Sequence, residues 1–127
     1  MVAPLQILAD GGHMIIASRC EEGIGSHEYR ESQARLKSMG AEGFLNRIRQ
    51  MPQADIDGWQ THMLLRPLDI GRVSLFSEGI QGADRELTCV EMIDSIENAI
   101  EQSVASSADR SIAVIPEGPY VIPVYRP

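Results

Sequence analysis

Three short apolar runs punctuate the chain, and between them the apolar positions recur at helical spacing. The runs are Met14-Ile15-Ile16-Ala17, Val73-Ser74-Leu75-Phe76 and Ile112-Ala113-Val114-Ile115. The first and third are continuous rather than alternating, as strands covered on both faces read. Tyr29, Leu36 and Met39 predict a helix opened by Ser26 as N-cap and closed by Gly40 at the C′ position. Phe44, Leu45, Ile48 and Met51 predict a shorter one, ended by Pro52. A further helix covers roughly 56–68, with Pro67 expected to end or kink it. Ile93, Ile96, Ile100 and Val104 recur at three, four and four, opposite Glu97 and Glu101, which predicts an amphipathic helix.

Strands separated by helical crossovers of this length pair in parallel. The expected fold is therefore α/β: a layered parallel or mostly parallel sheet of three or more strands, flanked by helices and Rossmann-like. Residues 5–9, before Gly11-Gly12, read as the last turns of a helix whose beginning lies upstream. Residues 1–127 thus read as a single α/β domain taken from a larger protein. The segment 119–127 carries Pro119, Pro123 and Pro127. Proline excludes a helix or a central strand there, leaving an extended tail whose apolar residues need a surface to cover.

With 127 residues there is room for one domain with a real core. Eleven Lys+Arg against eighteen Asp+Glu leave a net charge of −7, so no basic face can be assembled to neutralise nucleic-acid phosphates. No apolar run is long enough to cross a bilayer, and the first residues carry no basic-then-apolar leader. Cys20 and Cys89 lie far apart without C-x-x-C spacing and are expected as free thiols in a reducing, cytoplasmic setting. The basic set is lopsided, with ten Arg and the single Lys37, and Trp59 is the only tryptophan.

Each apolar run leads into a glutamate followed by glycine: Glu22-Gly23, Glu78-Gly79 and Glu117-Gly118. Ligands of open parallel sheets bind outside the carboxyl ends of the strands, so these could line a site. Glu-Gly is also simply a permissive turn, the reading preferred for Glu78 and Glu117. The longer loop through Cys20, Glu21 and Glu22 keeps the functional expectation, because binding residues concentrate on loops held by a scaffold. A metal site is not expected. His13 and Cys20 sit at opposite ends of one strand, roughly 20 Å apart at ~3.3 Å per residue, and Cys20 with His27 supplies only two ligands. His62 reads as a surface or helix-packing histidine. Gly23-Ile24-Gly25 lacks the third glycine of a dinucleotide fingerprint. Trp59 opens a helix after Asp55-Ile56-Asp57-Gly58, where a helix amino terminus could face a ligand; a lone tryptophan more often anchors a core or an interface.

The segment Gly11-Gly12-His13-Met14-Ile15-Ile16-Ala17-Ser18-Arg19-Cys20-Glu21-Glu22-Gly23-Ile24-Gly25 resembles one in the nickel-dependent lactate racemase family. There a helix ends in two glycines and a strand leads into a Cys-(acid)-Gly-x-Gly loop. Trp59-Gln60 with Leu64-Leu65 and the run 73–76 resembles the next part of that family, and 112–118 with Pro119-Tyr120 its closing segment. The resemblance implies the C-terminal domain of a two-domain enzyme. Its partners are an N-terminal domain of the same protein, on which the 119–127 tail would pack, and a small 2-hydroxy acid substrate. In the family, a nickel pincer nucleotide tethered to a lysine of the N-terminal domain takes a hydride from the substrate's α-carbon and returns it. Two histidines of that domain act as acid and base. The Gln and Lys that hold the substrate carboxylate fall upstream of this chain, and Lys37 does not inherit the role. Trp59 resembles the family's active-site tryptophan, and the loop of Cys20, Glu21 and Glu22 is expected to face the interdomain cleft.

The expected function is therefore racemisation or epimerisation of a 2-hydroxy acid by the parent enzyme. No catalytic residue lies within this chain, which alone would be inactive and hold no nickel cofactor. The alternative is a non-catalytic α/β binding or assembly module, since no acid/base pair, nucleophile or metal cluster lies in these residues. Self-association through the apolar tail is a further expectation.

Overall fold

A computed structural model describes residues 3–53 and 55–126. Three parallel strands, β1 (His13–Ala17), β2 (Arg72–Phe76) and β3 (Glu91–Ile93), form one sheet in the order β1-β2-β3. Four helices flank it: α1 (His27–Gln50), α2 (Gly58–Ile70), α3 (Ala83–Leu87) and α4 (Ile96–Ser106). This is the expected open α/β arrangement with a parallel sheet. Both crossovers step across the sheet in the same direction, so right-handed connections put α1, α2 and α3 on one face.

The first two apolar runs are strands because each finds a ladder partner. Met14 pairs with Val73, and Ile16 with Leu75, which in turn pairs with Met92. Met14, Val73 and Leu75 are buried on one face, with Leu36, Phe44, Leu64 and Ile80 completing the core. Central β2 is buried on both faces, Val73, Ser74 and Leu75 in succession. The polar Ser74 is tolerated there because its hydroxyl bonds to both neighbouring strands.

The helix caps follow the sequence closely. Ser26 accepts a hydrogen bond from the Tyr29 amide at 3.0 Å and opens α1. Gly40, at φ 71° and ψ 174°, breaks α1 into the two helices expected on either side of it, and the second half ends before Pro52. Ser95 caps α4 through the Asn98 amide.

Four expectations need correction. Residues 112–115 form no strand. Ile112 and Val114 are 56% and 84% exposed, because the run finds no ladder partner and an apolar run alone does not make a strand. The third strand is instead β3, too short and too polar at Glu91 to register as an apolar run, and it takes Ile93 away from the helix expected to hold it. Of the two outcomes expected at Pro67, it does not end α2, which continues to Ile70. Pro67 is almost fully buried, so its packing offsets the lost amide, and its carbonyl accepts the Gly71 amide. Residues 5–9 do not make α-helical turns. A 3-10 helix covers Ala3–Gln6 and gives way to turns.

The tail is extended apart from a 3-10 turn at Gly118–Tyr120, which lies against the Ala3–Gln6 turn. Pro127 lies outside the described residues. No helix among the described residues is long and apolar enough to cross a membrane.

Candidate functional site

The carboxyl ends of β1 and β2 are joined beyond the ladder itself. The Ser18 amide donates to the Phe76 carbonyl at 3.0 Å and the Gly79 amide to the Arg19 carbonyl at 2.9 Å. The Ser77 hydroxyl, itself buried, donates to the same Arg19 carbonyl at 3.1 Å. Gly79 approaches so closely that an added Cβ would overlap the Arg19 and Cys20 carbonyl oxygens. The Glu78-Gly79 pair therefore has a structural reason to carry glycine: the two loops must touch, and only a residue without Cβ allows it.

This contact fixes the loop through Cys20, Glu21 and Glu22. Cys20 takes a left-handed conformation at φ 47°, its carbonyl accepts the Gly23 amide, and buried Ile24 anchors the far side. The Cys20 thiol is partly exposed and donates to Ser18 Oγ at 3.4 Å. Glu21 accepts from Arg19 at 3.3 Å in a fully solvated pair, which contributes little to stability. Glu22 points to solvent. At the next helix, Arg30 grips Asp84 with two parallel hydrogen bonds that hold its carboxyl below the usual carboxylate range. That pair ties α1 to α3.

Trp59 joins the same edge. At the start of α2, Asp57 accepts a hydrogen bond from Ser26 Oγ at 2.5 Å. Ser26 is both the cap of α1 and the end of the Cys20 loop, so the amino termini of α1 and α2 are held together. Trp59, two residues on, is 64% exposed, and Ile56 beside the same turn is 72% exposed. The Ser26–Asp57 bond thus links the start of α2, which carries Trp59, to the residue that ends the loop of Cys20, Glu21 and Glu22.

It does not gather the rest. Glu78 is exposed at the joined loops, whereas Glu117 precedes the turn that lies against Ala3–Gln6. The expected trio of strand-end glutamates is therefore a pair, because residues 112–115 are not a strand. His62 is exposed on α2, His27 is exposed beside Glu31, and Lys37 donates to Glu86.

Sequence reasoning missed two polar groupings. One is the Ser26–Asp57 contact, whose only signal is an Asp-Gly pair ahead of a helix. The other crosses the sheet at the amino end of β1. The Ser74 hydroxyl donates to Glu91 at 2.6 Å, so His13 Nε2–H donates to Ser74 Oγ at 2.7 Å. Arg72 adds two bonds of 2.7 Å to Glu91. Arg72 and Ser74 together hold the Glu91 carboxyl down to about 2. Burial, reinforced by the nearby Arg72, pushes the His13 imidazole below its ordinary value. His13 Nδ1 is buried with no partner among the described residues. The trio has the residue types of a hydrolase but not its wiring. Ser74 gives its proton to the carboxylate rather than to His13, and it is fully buried. It is a structural network, at the strand end opposite the Cys20 loop.

An open parallel sheet flanked by helices is an α/β domain of the Rossmann-like class. A profile of the lactate racemase C-terminal domain matches residues 1–123, and the chain belongs to that family. No curated protein matches it. Among the described residues, no three His, Cys, Asp or Glu side chains converge to hold a metal, and the single lysine is paired with Glu86. These residues do not fit the role of anchoring a nickel pincer nucleotide.

Proposed function

We propose that this chain forms the C-terminal wall of the cleft of a two-domain racemase or epimerase acting on a small 2-hydroxy acid. The N-terminal domain would carry the acid and base and the nickel pincer nucleotide, which would supply hydride-transfer chemistry when bound. Membership of the lactate racemase C-terminal domain family supports a partner domain of that kind. The observation that carries the site is Trp59, large, aromatic and 64% exposed on the edge where parallel sheets bind ligands. In this reading Trp59 packs against substrate and cofactor, while Cys20, Glu21 and Glu22 line the cleft mouth. The apolar tail covers the N-terminal domain, and the enzyme works in the cytoplasm.

The test is to produce the parent protein with its cofactor-making partners and follow interconversion of lactate and related 2-hydroxy acid enantiomers by chiral chromatography. Interconversion is expected, and Trp59→Ala should lower kcat/KM at least roughly tenfold, equivalent to ~1.4 kcal/mol of transition-state stabilisation. This chain alone should show no turnover. A parent that carries the nickel cofactor and turns over no hydroxy acid would leave the non-catalytic binding module as the better account.

A further inference from the structure

Trp59 poses a problem of placement. A side chain that is 64% exposed touches too little protein to be held by packing, yet a substrate-facing ring must be held to well under an ångström or two to be useful. The structure fixes the backbone on either side of it instead.

Asp57, at the N-cap position of α2, is in the left-handed conformation at φ 60° and its side chain does not cap its own helix. That is unusual for an aspartate, one of the best N-cap residues, and left-handed backbone is disfavoured for any residue with a Cβ. Both carboxylate oxygens are engaged elsewhere. Oδ2 accepts from Ser26 Oγ at 2.5 Å, and Oδ1 accepts from Gln60 Nε2 at 2.9 Å. Asp57 and Gln60 flank Gly58 and Trp59, so the carboxylate clamps the first turn of α2 from both ends. The Ser26 hydroxyl is also used twice, accepting from the Tyr29 amide at 3.0 Å while donating to Asp57. One hydroxyl and one carboxylate thereby lock together two helix starts 31 residues apart, and the positive ends of both helices favour the negative charge between them.

We propose that Ser26 and Asp57 are positioning residues: they hold Trp59 in fixed register with the loop of Cys20, Glu21 and Glu22, making one preformed surface of two separate segments. The functional half of this rests on the reading that Trp59 faces the substrate; the mechanical half does not.

Trp59 is the sole tryptophan, so its fluorescence anisotropy in the 127-residue chain reports this position alone. The informative variant is Asp57→Gly, which accepts the left-handed backbone without strain while removing the carboxylate. Ser26→Ala removes the same bond from the other side. Each should lower the anisotropy and raise acrylamide quenching at a temperature where far-UV circular dichroism shows the fold intact. The double variant should fall short of the sum of the two single effects, because both break the one shared link, while Asp57→Gly also frees Gln60 and Ser26→Ala the Tyr29 amide. Asp57→Asn, which can still accept from Ser26, should restore most of the wild-type signal. Unchanged anisotropy in folded Asp57→Gly would overturn the proposal.

In the two-domain parent, Asp57→Gly should lower kcat/KM roughly tenfold, and should add nothing in a Trp59→Ala background. If Trp59→Ala leaves turnover unchanged, it is the site reading that fails. If Trp59→Ala impairs turnover and Asp57→Gly does not, the positioning role fails.

Discussion

The segments 73–76 and 112–115 are nearly interchangeable in apolar content, yet one is the centre of the sheet and the other lies exposed. Val73 and Leu75 are 2% and 5% exposed, against 56% and 84% for Ile112 and Val114. The difference is in neighbours. β2 pairs on both sides, with β1 and with β3, so its backbone groups and both its faces are satisfied at once. Residues 112–115 have no ladder partner, and Ile112, Ala113 and Val114 stay in water. Burial is a property of the pairing, which the run itself does not contain.

The same contrast separates the glycines after these runs, and there the largest effect is expected. Gly79→Ala drives a Cβ into the Arg19 and Cys20 carbonyl oxygens, whereas Gly118 has open space around it. Gly79→Ala should cost about 3 kcal/mol or more in urea unfolding, and Gly118→Ala within about 0.5 kcal/mol. Equal costs would mean that the joined loops are not the rigid end of the sheet.

The runs themselves come next. Leu75→Ala removes a side chain packed in the core and should cost about 2–4 kcal/mol. Val114→Ala removes one already in water, and its unfolding midpoint should stay within error of wild type. A large loss at Val114 would show that 112–115 does find a covering surface in solution.

The smallest effect concerns pH. Glu91 is held from 4.5 down to about 2 by Arg72 and Ser74, so its stabilisation is complete above 4.5 and is lost as pH falls from there through about 2. His13 is lowered from 6.5 by burial, so the unfolded chain takes up its proton first and stability starts to fall below pH 6.5. Acid unfolding at fixed urea should therefore begin in the histidine range and steepen below 4.5. His13→Gln should abolish the first step and leave the second. Persistence of the upper step in that variant would mean that another group causes it.

Local signals made much of the scaffold legible. The Ser26 cap, the Gly40 break, the end of α1 before Pro52 and strands β1 and β2 all rest on interactions within a few residues, or on apolar runs long enough to show. β3 was not legible because three residues beginning with Glu91 look like the approach to a helix. The fate of 112–115 was hidden for the converse reason. At the site, Trp59 and the Cys20 loop could be singled out as residues, but not the link between their segments. That depends on a bond between Ser26 and Asp57, neither of which signals a partner 31 positions away.

By itself, then, the sequence determined the α/β class, the Ser26 cap and Gly40 break of α1, and the kinship with the lactate racemase C-terminal domain, because those reside in local chemistry and in the order of segments. The tertiary structure alone decided which apolar runs became strands, why Gly79 must lack a side chain, and how the start of α2 is tied to the start of α1. Each of these is a contact between segments far apart in the chain. Such contacts depend on two surfaces meeting, and neither surface specifies the meeting alone.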